Sequence, residues 1–466
     1  MYADTLLARR DIIQRRMSTV EVIMELRATY KKFIYNSYEI YEDNEKLYLE
    51  YDFEIENLVK FNPKIEILKK KFNFKNINTD FVKNIVFNIG MVEAISYYKA
   101  VCAKQFIIKC GAIDSVQEQW FKKLYYLGLG EFRYKNNIKI EQKDFVNFIS
   151  EGNKLNFENK ENSFSGILIP LGGGKDSSVT LDLLKEYKDE TNLFCIGAKP
   201  VMIDCAVASG FNRDDIIEVN RKIDRNLLDL NQKGFLNGHT PFSAIIAFLT
   251  YFVSYLMGKK YIALSNEDSA NETNIIGENV NHQYSKTIEF ENDFREYVNK
   301  YFNINIEYFS MLRPITEIQI AMIFSKLEKY HHIFKSCNVG SKTEPWKWCC
   351  NCSKCLFVYI ILSPFLYKDK LINIFGEDLF EKEELLETFI ELCGYGETKP
   401  FECVGTYDEI RYAVTIAIKN INGELPFLLK YYEEKFELST KDMLKYYNEK
   451  NNLPAEFEKI LRGEIL

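Results

Sequence analysis

The sequence has no excess of positive charge. Its 60 lysines and arginines stand against 67 aspartates and glutamates, for a net charge of −7 and a pI of about 5.5. That balance argues against duplex nucleic acid as the main partner and leaves room only for a local basic groove. A membrane span is not evident either. The longest apolar stretch, AIIAFLTYFVSYLM (244–257), is short for a bilayer crossing and contains Thr250 and Ser254, so a buried helix is expected. The opening MYADTLLARRDIIQRRM lacks an apolar core of signal-peptide length, and a cytoplasmic protein with reduced thiols is expected. Long low-complexity linkers and internal repeats are missing, which sets repeat architectures aside.

What is present is ordinary globular material: 466 residues, 47% hydrophobic and 27% charged, enough for two or three domains. The 35 phenylalanines and 30 tyrosines accompany many Lys, Ile and Asn, and read as a composition bias rather than a stacking surface.

Three regions are expected. Residues 1–160 read as a mixed accessory or substrate-reading domain. There LYLEYDFEIE (47–56) alternates like a half-exposed strand, and 81–110 and 115–127 have helical spacing, with Trp120 and Phe121 on one helix. Residues 161–365 read as the catalytic domain. GILIP (166–170), NLFCIG (192–197) and YIALSNE (261–267) are strands, SSVTLDLLKEY (177–187) is a helix, 212–232 mixes helix and loop, and 239–258 is a long buried helix. Strands alternating with helices predict a doubly wound parallel sheet of the α/β class. Ligands of such sheets sit beyond the carboxyl ends of the strands, where LGGGKDSS (171–178), Ala198–Asp204 and Ser265–Asn271 fall. Residues 366–466 read as a helical C-terminal region, interrupted by GYGETKPFECVGTYDEI (394–410).

A strand that ends in glycines and opens a helix is an anion cradle. Glycine lets backbone N–H groups approach phosphate oxygens, and the helix N-terminus adds partial positive charge. LGGGKDSS is not GxxxxGK[ST], because Ile169 stands where the first glycine belongs and Asp176 follows Lys175. It is not GxGxxG, because Ser177 stands at the third glycine's place.

The eleven cysteines divide unevenly. Cys102, Cys110, Cys195, Cys205, Cys393 and Cys403 are scattered, while Cys337, Cys349, Cys350, Cys352 and Cys355 are crowded. Cys349-x2-Cys352-x2-Cys355 with Cys337 supplies four sulfurs for a closed tetrahedral Zn²⁺ site of structural role. Cys350 is a fifth candidate that leaves one ligand open, and an iron–sulfur cluster is the alternative.

GGGKDSS (172–178) resembles the PP-loop of ATP pyrophosphatases, SGGxDS, with glycine in place of the first serine. That resemblance implies the fold of the adenine nucleotide α-hydrolases and cleavage of ATP between its α and β phosphates. Gly172, Gly173, Gly174, Ser177 and Ser178 would hold the leaving pyrophosphate. Lys175 would neutralise developing charge and Asp176 would help place Mg²⁺. Among such enzymes, 7-cyano-7-deazaguanine synthases bind zinc through C-x8-C-x2-C-x2-C, a tighter spacing than here. The set GGGKDS (172–177), GHTPFSA (238–244), LSNEDSANETN (264–274), VNHQYSKTIEFE (280–291), WCCNCSKC (348–355) and KPFECVGTYDE (399–409) resembles the UDP-N-acetyl-α-D-muramoyl-L-alanyl-L-glutamate epimerase family. GMVEAISYYKAVC (90–102) extends the likeness into the N-terminal region.

That resemblance implies inversion of the terminal L-glutamate of a peptidoglycan precursor, with ATP and Mg²⁺ consumed to give AMP and pyrophosphate. An acyl-adenylate has a neutral, polarised carbonyl, so its α-proton is far more acidic than that of a carboxylate. Inversion then needs proton carriers on two faces, or one mobile group. Residues 265–286 offer Glu267, Asp268, His282, Tyr284 and Lys286, and the loop at 402–403 adds Glu402 and Cys403. His282 draws attention because the chain has only four histidines. Glu267, Asn266 and Asn271 equally suit Mg²⁺ or substrate. Lys286, Arg295 and Arg313 are candidate cations for the anionic nucleotide-sugar peptide. The competing expectations are another PP-loop adenylating enzyme, such as a deazaguanine synthase-like ligase or a tRNA-modifying enzyme, and a non-enzymatic nucleotide sensor.

Overall fold

The computed structural model describes residues 19–70, 72, 74, 77–155, 163–275, 280–342 and 345–465. The opening segment read above for a signal peptide lies outside them. In chain order the strands are β1 (Lys32–Glu42), β2 (Lys46–Ile55), β3 (Val59–Phe61), β4 (Lys64–Leu68), β5 (Gln105–Ile108), β6 (Asn147–Ser150), β7 (Ile167–Pro170), β8 (Thr191–Ile196), β9 (Ile216–Lys222), β10 (Tyr261–Leu264) and β11 (Glu307–Ser310). The chain forms two compact units, each assembled from separated stretches: 1–164, 217–259 and 289–306 in one, 165–216, 260–288 and 307–466 in the other.

In the first unit the strands run β9-β4-β2-β1-β5-β6, with β3 on β2. β9, β4, β2 and β1 pair antiparallel; β1, β5 and β6 pair parallel. β2 alternates buried and half-buried residues along its whole length, as the pattern LYLEYDFEIE predicts. β5 lies within the stretch read as helical. Its four residues QFII follow a short helix at Ile95–Tyr98, too few to show a period of two. The helices Asp80–Glu93 and Ser115–Gly128 form as expected, the second closed by an Asp114/Gln117 capping box. The rings gather into the core: Phe33, Tyr35, Phe53, Tyr97, Tyr98 and Phe106 are buried. Buried phenols find carbonyl partners. Tyr125 Oη donates to Met91 O at 2.6 Å, and Tyr98 Oη to Phe145 O at 2.9 Å. The apolar run becomes the helix Phe242–Met257, ended by Gly258 at φ +69° and packed against Asp80–Glu93. Among the described residues no helix is long and apolar enough to cross a membrane.

In the second unit the order is β11-β10-β7-β8, with all three pairings parallel. The chain leaves β7 for β8 on one side and returns to its other side with β10. The carboxyl ends of β7 and β10 therefore flank the point where strand order reverses. The helix Lys175–Leu183 follows β7, the helix Pro200–Ala208 follows β8, and a helix at Glu317–Ser325 packs on Lys175–Leu183. β9 corrects the reading of 212–232: IIEVNRK is a strand, flanked by a 3-10 turn at Arg213–Asp215 and the α-helix Arg225–Gln232. The C-terminal region is helical at Lys368–Phe375, Leu386–Leu392, Tyr407–Asn420, Phe427–Lys435 and Ala455–Ile465.

Candidate active site

The three glycines after β7 do different things. Gly173 has φ +78°, and a Cβ there would press on Val201 Cγ1 at 3.1 Å. Gly174 caps the helix Lys175–Leu183, and its Cβ would meet Ser336 Oγ at 2.8 Å. Lys335 N–H donates to Gly173 O at 3.1 Å. Gly172 alone is exposed, with nothing within 4 Å of where a Cβ would stand. Ser177 and Ser178 turn their hydroxyls back onto Gly174 O, at 3.1 and 3.0 Å. The Ser178 N–H also serves the helix, donating to Gly174 O at 3.2 Å.

Lys175 points inward. Its ammonium is buried against the carboxylates of Asp176 and Glu317. Burial by itself would lower the Lys175 pKa, but the two carboxylates outweigh it and keep the group charged. Asp176 is held below its ordinary range against the penalty of burial, chiefly by Lys175. Glu317 goes the other way. Burial, with Asp176 and Glu267 nearby, raises it to about 8 despite Lys175. The environment thus favours the charged form of Asp176 and the neutral form of Glu317. Glu317 opens its helix behind the capping box of Thr316 and Gln319, and its N–H donates to buried Glu409 Oε1 at 2.8 Å.

The loop after β10 folds onto two distant segments. Arg313 is fully buried; it donates to Glu267 O at 2.6 Å and to Lys286 O. It ties the Glu267 loop to the turn Tyr284–Lys286 rather than presenting a surface cation. Glu267 is buried beside Ser269, and Asn266 donates to Ser310 Oγ at 3.1 Å. Asp268 is taken by the C-terminal segment, accepting from Tyr446 Oη at 2.7 Å and Asn448 Nδ2 at 2.6 Å. Asn274 accepts from His282 N–H at 2.8 Å and donates to Pro400 O at 3.0 Å.

Through those contacts the structure brings His282, Lys286 and Cys403 together. Lys286 Nζ lies 3.2 Å from Cys403 Sγ, His282 hydrogen-bonds the same sulfur, and Lys354 Nζ donates to Cys403 O. Cys403 is half-buried. Burial pushes its thiol up, but Lys286, His282 and Lys354 outweigh burial and hold it at about 6. Burial likewise acts to lower Lys286, and Cys403, Glu267 and Asp176 raise it above its ordinary value. One lysine thus senses both the thiol and the acidic side of the site.

Cys337, Cys349, Cys352 and Cys355 place their sulfurs within 4.8 Å of one another. The sulfurs of Cys337 and Cys352 are 3.9 Å apart, those of Cys349 and Cys355 3.7 Å, and those of Cys352 and Cys355 3.5 Å. A tetrahedron with metal–sulfur bonds of about 2.3 Å has edges of about 3.8 Å, so this cluster could hold one ion. Gly340 N–H donates to Cys337 Sγ at 3.0 Å, which stabilises a thiolate. Cys350 lies outside this group of four sulfurs. Its backbone has φ +54°, its sulfur donates to Phe375 O at 3.2 Å, and burial raises it to about 12.

Two family profiles match, one described as the MurL N-terminal domain over residues 24–311 and one as the MurL C-terminal domain over 333–442. The chain belongs to the MurL family. It is thereby an enzyme of the isomerase class. A UDP-N-acetyl-α-D-muramoyl-L-alanyl-L-glutamate epimerase of Xanthomonas oryzae pv. oryzae is 30% identical over 352 residues, 74% of this chain and 77% of the relative. Proteins of the same description from Micromonospora sp. and Salinispora tropica are each 31% identical, covering 70% of this chain and 73% and 72% of their own lengths. Within this MurL chain the sequence reading missed Glu317, Lys354 and Glu409. The T-x-x-Q box ahead of Glu317 marked a helix start, and Lys354 stands inside WCCNCSKC, but nothing local announced that either faces the glycine turn or the Cys403 loop.

Proposed function

We propose that this chain epimerises the terminal L-glutamate of UDP-N-acetylmuramoyl-L-Ala-L-Glu to D-glutamate, in the assembly of a peptidoglycan precursor, through an acyl-adenylate. The activity for which the MurL relatives are named supports the substrate. The observation that carries the mechanism is the pairing of two devices at the ends of β7 and β10: a helix N-terminus behind open Gly172, and a thiol held low beside Lys286.

In this reading the second unit is a PP-loop domain. A substrate carboxylate oxygen attacks the α-phosphorus of ATP, and pyrophosphate leaves. The glycine turn and the first N–H groups of the helix Lys175–Leu183 receive the leaving phosphates. Mg²⁺, when bound, screens the phosphate charge, and Asp176 and Glu267 are the carboxylates suited to hold it. The acyl-adenylate gives up its α-proton, regains one on the opposite face, and water releases AMP and the D-epimer. The Cys337–Cys349–Cys352–Cys355 cluster binds zinc and fixes the segment that buttresses Gly173 and Gly174. Its close sulfurs favour a single ion over a cluster of several irons.

The test is purified protein with Mg·ATP and the UDP-muramoyl dipeptide, followed for AMP and for the chirality of the released glutamate. Substrate-dependent AMP with D-glutamate is expected. D-glutamate without AMP would overturn the adenylate. AMP with glutamate left wholly in the L-form would overturn the epimerase in favour of another adenylating enzyme.

A further inference from the structure

Four titratable side chains meet around one loop: His282, Lys286 and Lys354 all face the half-buried Cys403, and Glu402 precedes it. Glu402 turns elsewhere, accepting from Asn338 Nδ2 at 2.5 Å. The loop is not free to drift. Lys354 holds the carbonyl of Cys403, a Cβ on Gly405 would stand only 3.0 Å from Glu409 Oε2, and the Thr406/Glu409 capping box starts the next helix. A sulfur fixed between two elements, 3.2 Å from an ammonium, is a preorganised group rather than a packing thiol. The contrast within the chain is sharp. At Cys205, Cys350 and Cys393 burial outweighs the neighbouring side chains and raises all three thiols.

We infer that the Cys403 thiolate is the base that removes the α-proton of the activated glutamyl residue, and that Lys286 is the positioning residue that keeps it ionised. This rests on the epimerase reading above. In the step, the sulfur lone pair takes the α-hydrogen as a proton. The C–H electrons pass into the carbonyl of the adenylate to give the enolate, and Cys403 becomes a neutral thiol beside Lys286. Reprotonation from the opposite face inverts the centre, and loss of the thiol proton to solvent restores the thiolate. No oxidant or reductant is consumed. A base whose pKa lies near the working pH is matched to its task, because it is available there yet still accepts a proton as the enolate forms. Lys286 adds a second effect. Its ammonium is favoured by Cys403 on one side and by Glu267 and Asp176 on the other, so it has carboxylate neighbours as well as the thiolate.

The test has two independent readouts on the full chain. The first is alkylation of Cys403 by iodoacetamide across pH 4.5–9, read by peptide mapping. Half-maximal reactivity near pH 6 is expected. Lys286→Met should move that midpoint up by at least one pH unit, about a tenfold loss of thiolate below the midpoint. A midpoint near the ordinary thiol value in the unmodified protein would overturn the assignment. The second readout is deuterium incorporation at the glutamate α-carbon in D₂O, alongside AMP release. Cys403→Ser should lose incorporation by a hundredfold or more while still releasing substrate-dependent AMP. Unchanged incorporation in Cys403→Ser would overturn the base. So would a covalent substrate adduct on Cys403, which would make the thiol an acyl carrier. A wild-type protein that incorporates deuterium without releasing AMP would overturn the adenylate reading and leave the base assignment standing.

Discussion

The N–H of Lys335 donates to the carbonyl of Gly173 at 3.1 Å, and Ser336 Oγ stands 2.8 Å from where a Cβ on Gly174 would go. The glycine turn is therefore shaped by the two residues that lead into Cys337, the first sulfur of the four-cysteine cluster.

Metal removal should act on the proposed nucleotide site for that reason. Stripping the cysteines with a mercurial and a chelator is expected to release one zinc per chain. Nucleotide binding should weaken by about tenfold, or about 1.4 kcal/mol, and the thermal transition should fall. Titration calorimetry before and after reconstitution checks this. Full nucleotide affinity in the metal-free protein would disconnect the two loops.

The three glycines should separate stability from binding. Gly173→Ala puts a side chain at φ +78° and is expected to cost about 1–2 kcal/mol of folding free energy. Gly172→Ala meets no neighbour and should leave stability within about 0.5 kcal/mol. Its methyl would nevertheless stand where an anion approaches, so nucleotide affinity should drop. Urea denaturation and nucleotide titration of both variants check the split.

Glu317 should make stability fall as pH rises. Its folded pKa is raised to about 8, against an ordinary value of 4.5. Between those values the unfolded chain has released the proton and the folded chain still holds it, so each step up in pH favours unfolding. Above about 8 this contribution to the slope ends. Glu317→Gln mimics the protonated form and should flatten the melting temperature between pH 5 and 8. A parallel pH profile for mutant and wild type would show that Glu317 is ionised in the folded protein.

In the first unit, Arg221 Nε donates to Glu93 Oε2 at 2.7 Å, and Glu93 is fully buried. Arg221→Met leaves a buried carboxylate without its cation and should cost about 3–5 kcal/mol. Adding Glu93→Leu should return most of that loss. A double variant no more stable than the single one would mean that Arg221 acts through packing.

Periodicity carried the sequence reading where elements were long or flanked by strong punctuation. β2 showed itself by ten alternating residues, and β7 by a short apolar run closed by glycines. β5 and β11 have four residues each, and no period can be read from four. β9 hid in polar surroundings, because its fit depends on pairing with β4, far away in sequence. The glycine turn and the sulfur spacing were legible because backbone conformation and metal geometry act over a few residues. Glu317 beside Lys175 was not, since 142 positions separate them and only the packing of two helices joins them. The same holds for Lys286 and Cys403, whose separation is 117.

The interleaved course of the chain also bears on how it is made. The first unit draws β9 from residues after 216 and its long apolar helix from 242–257, and closes only with the stretch 289–306. Emerging from a ribosome, the nascent chain must carry β4 with an unpaired edge and the apolar face of Asp80–Glu93 uncovered while well over a hundred further residues are added. Chaperone occupancy during synthesis should accordingly peak before residue 242 leaves the exit tunnel, not at the end of translation.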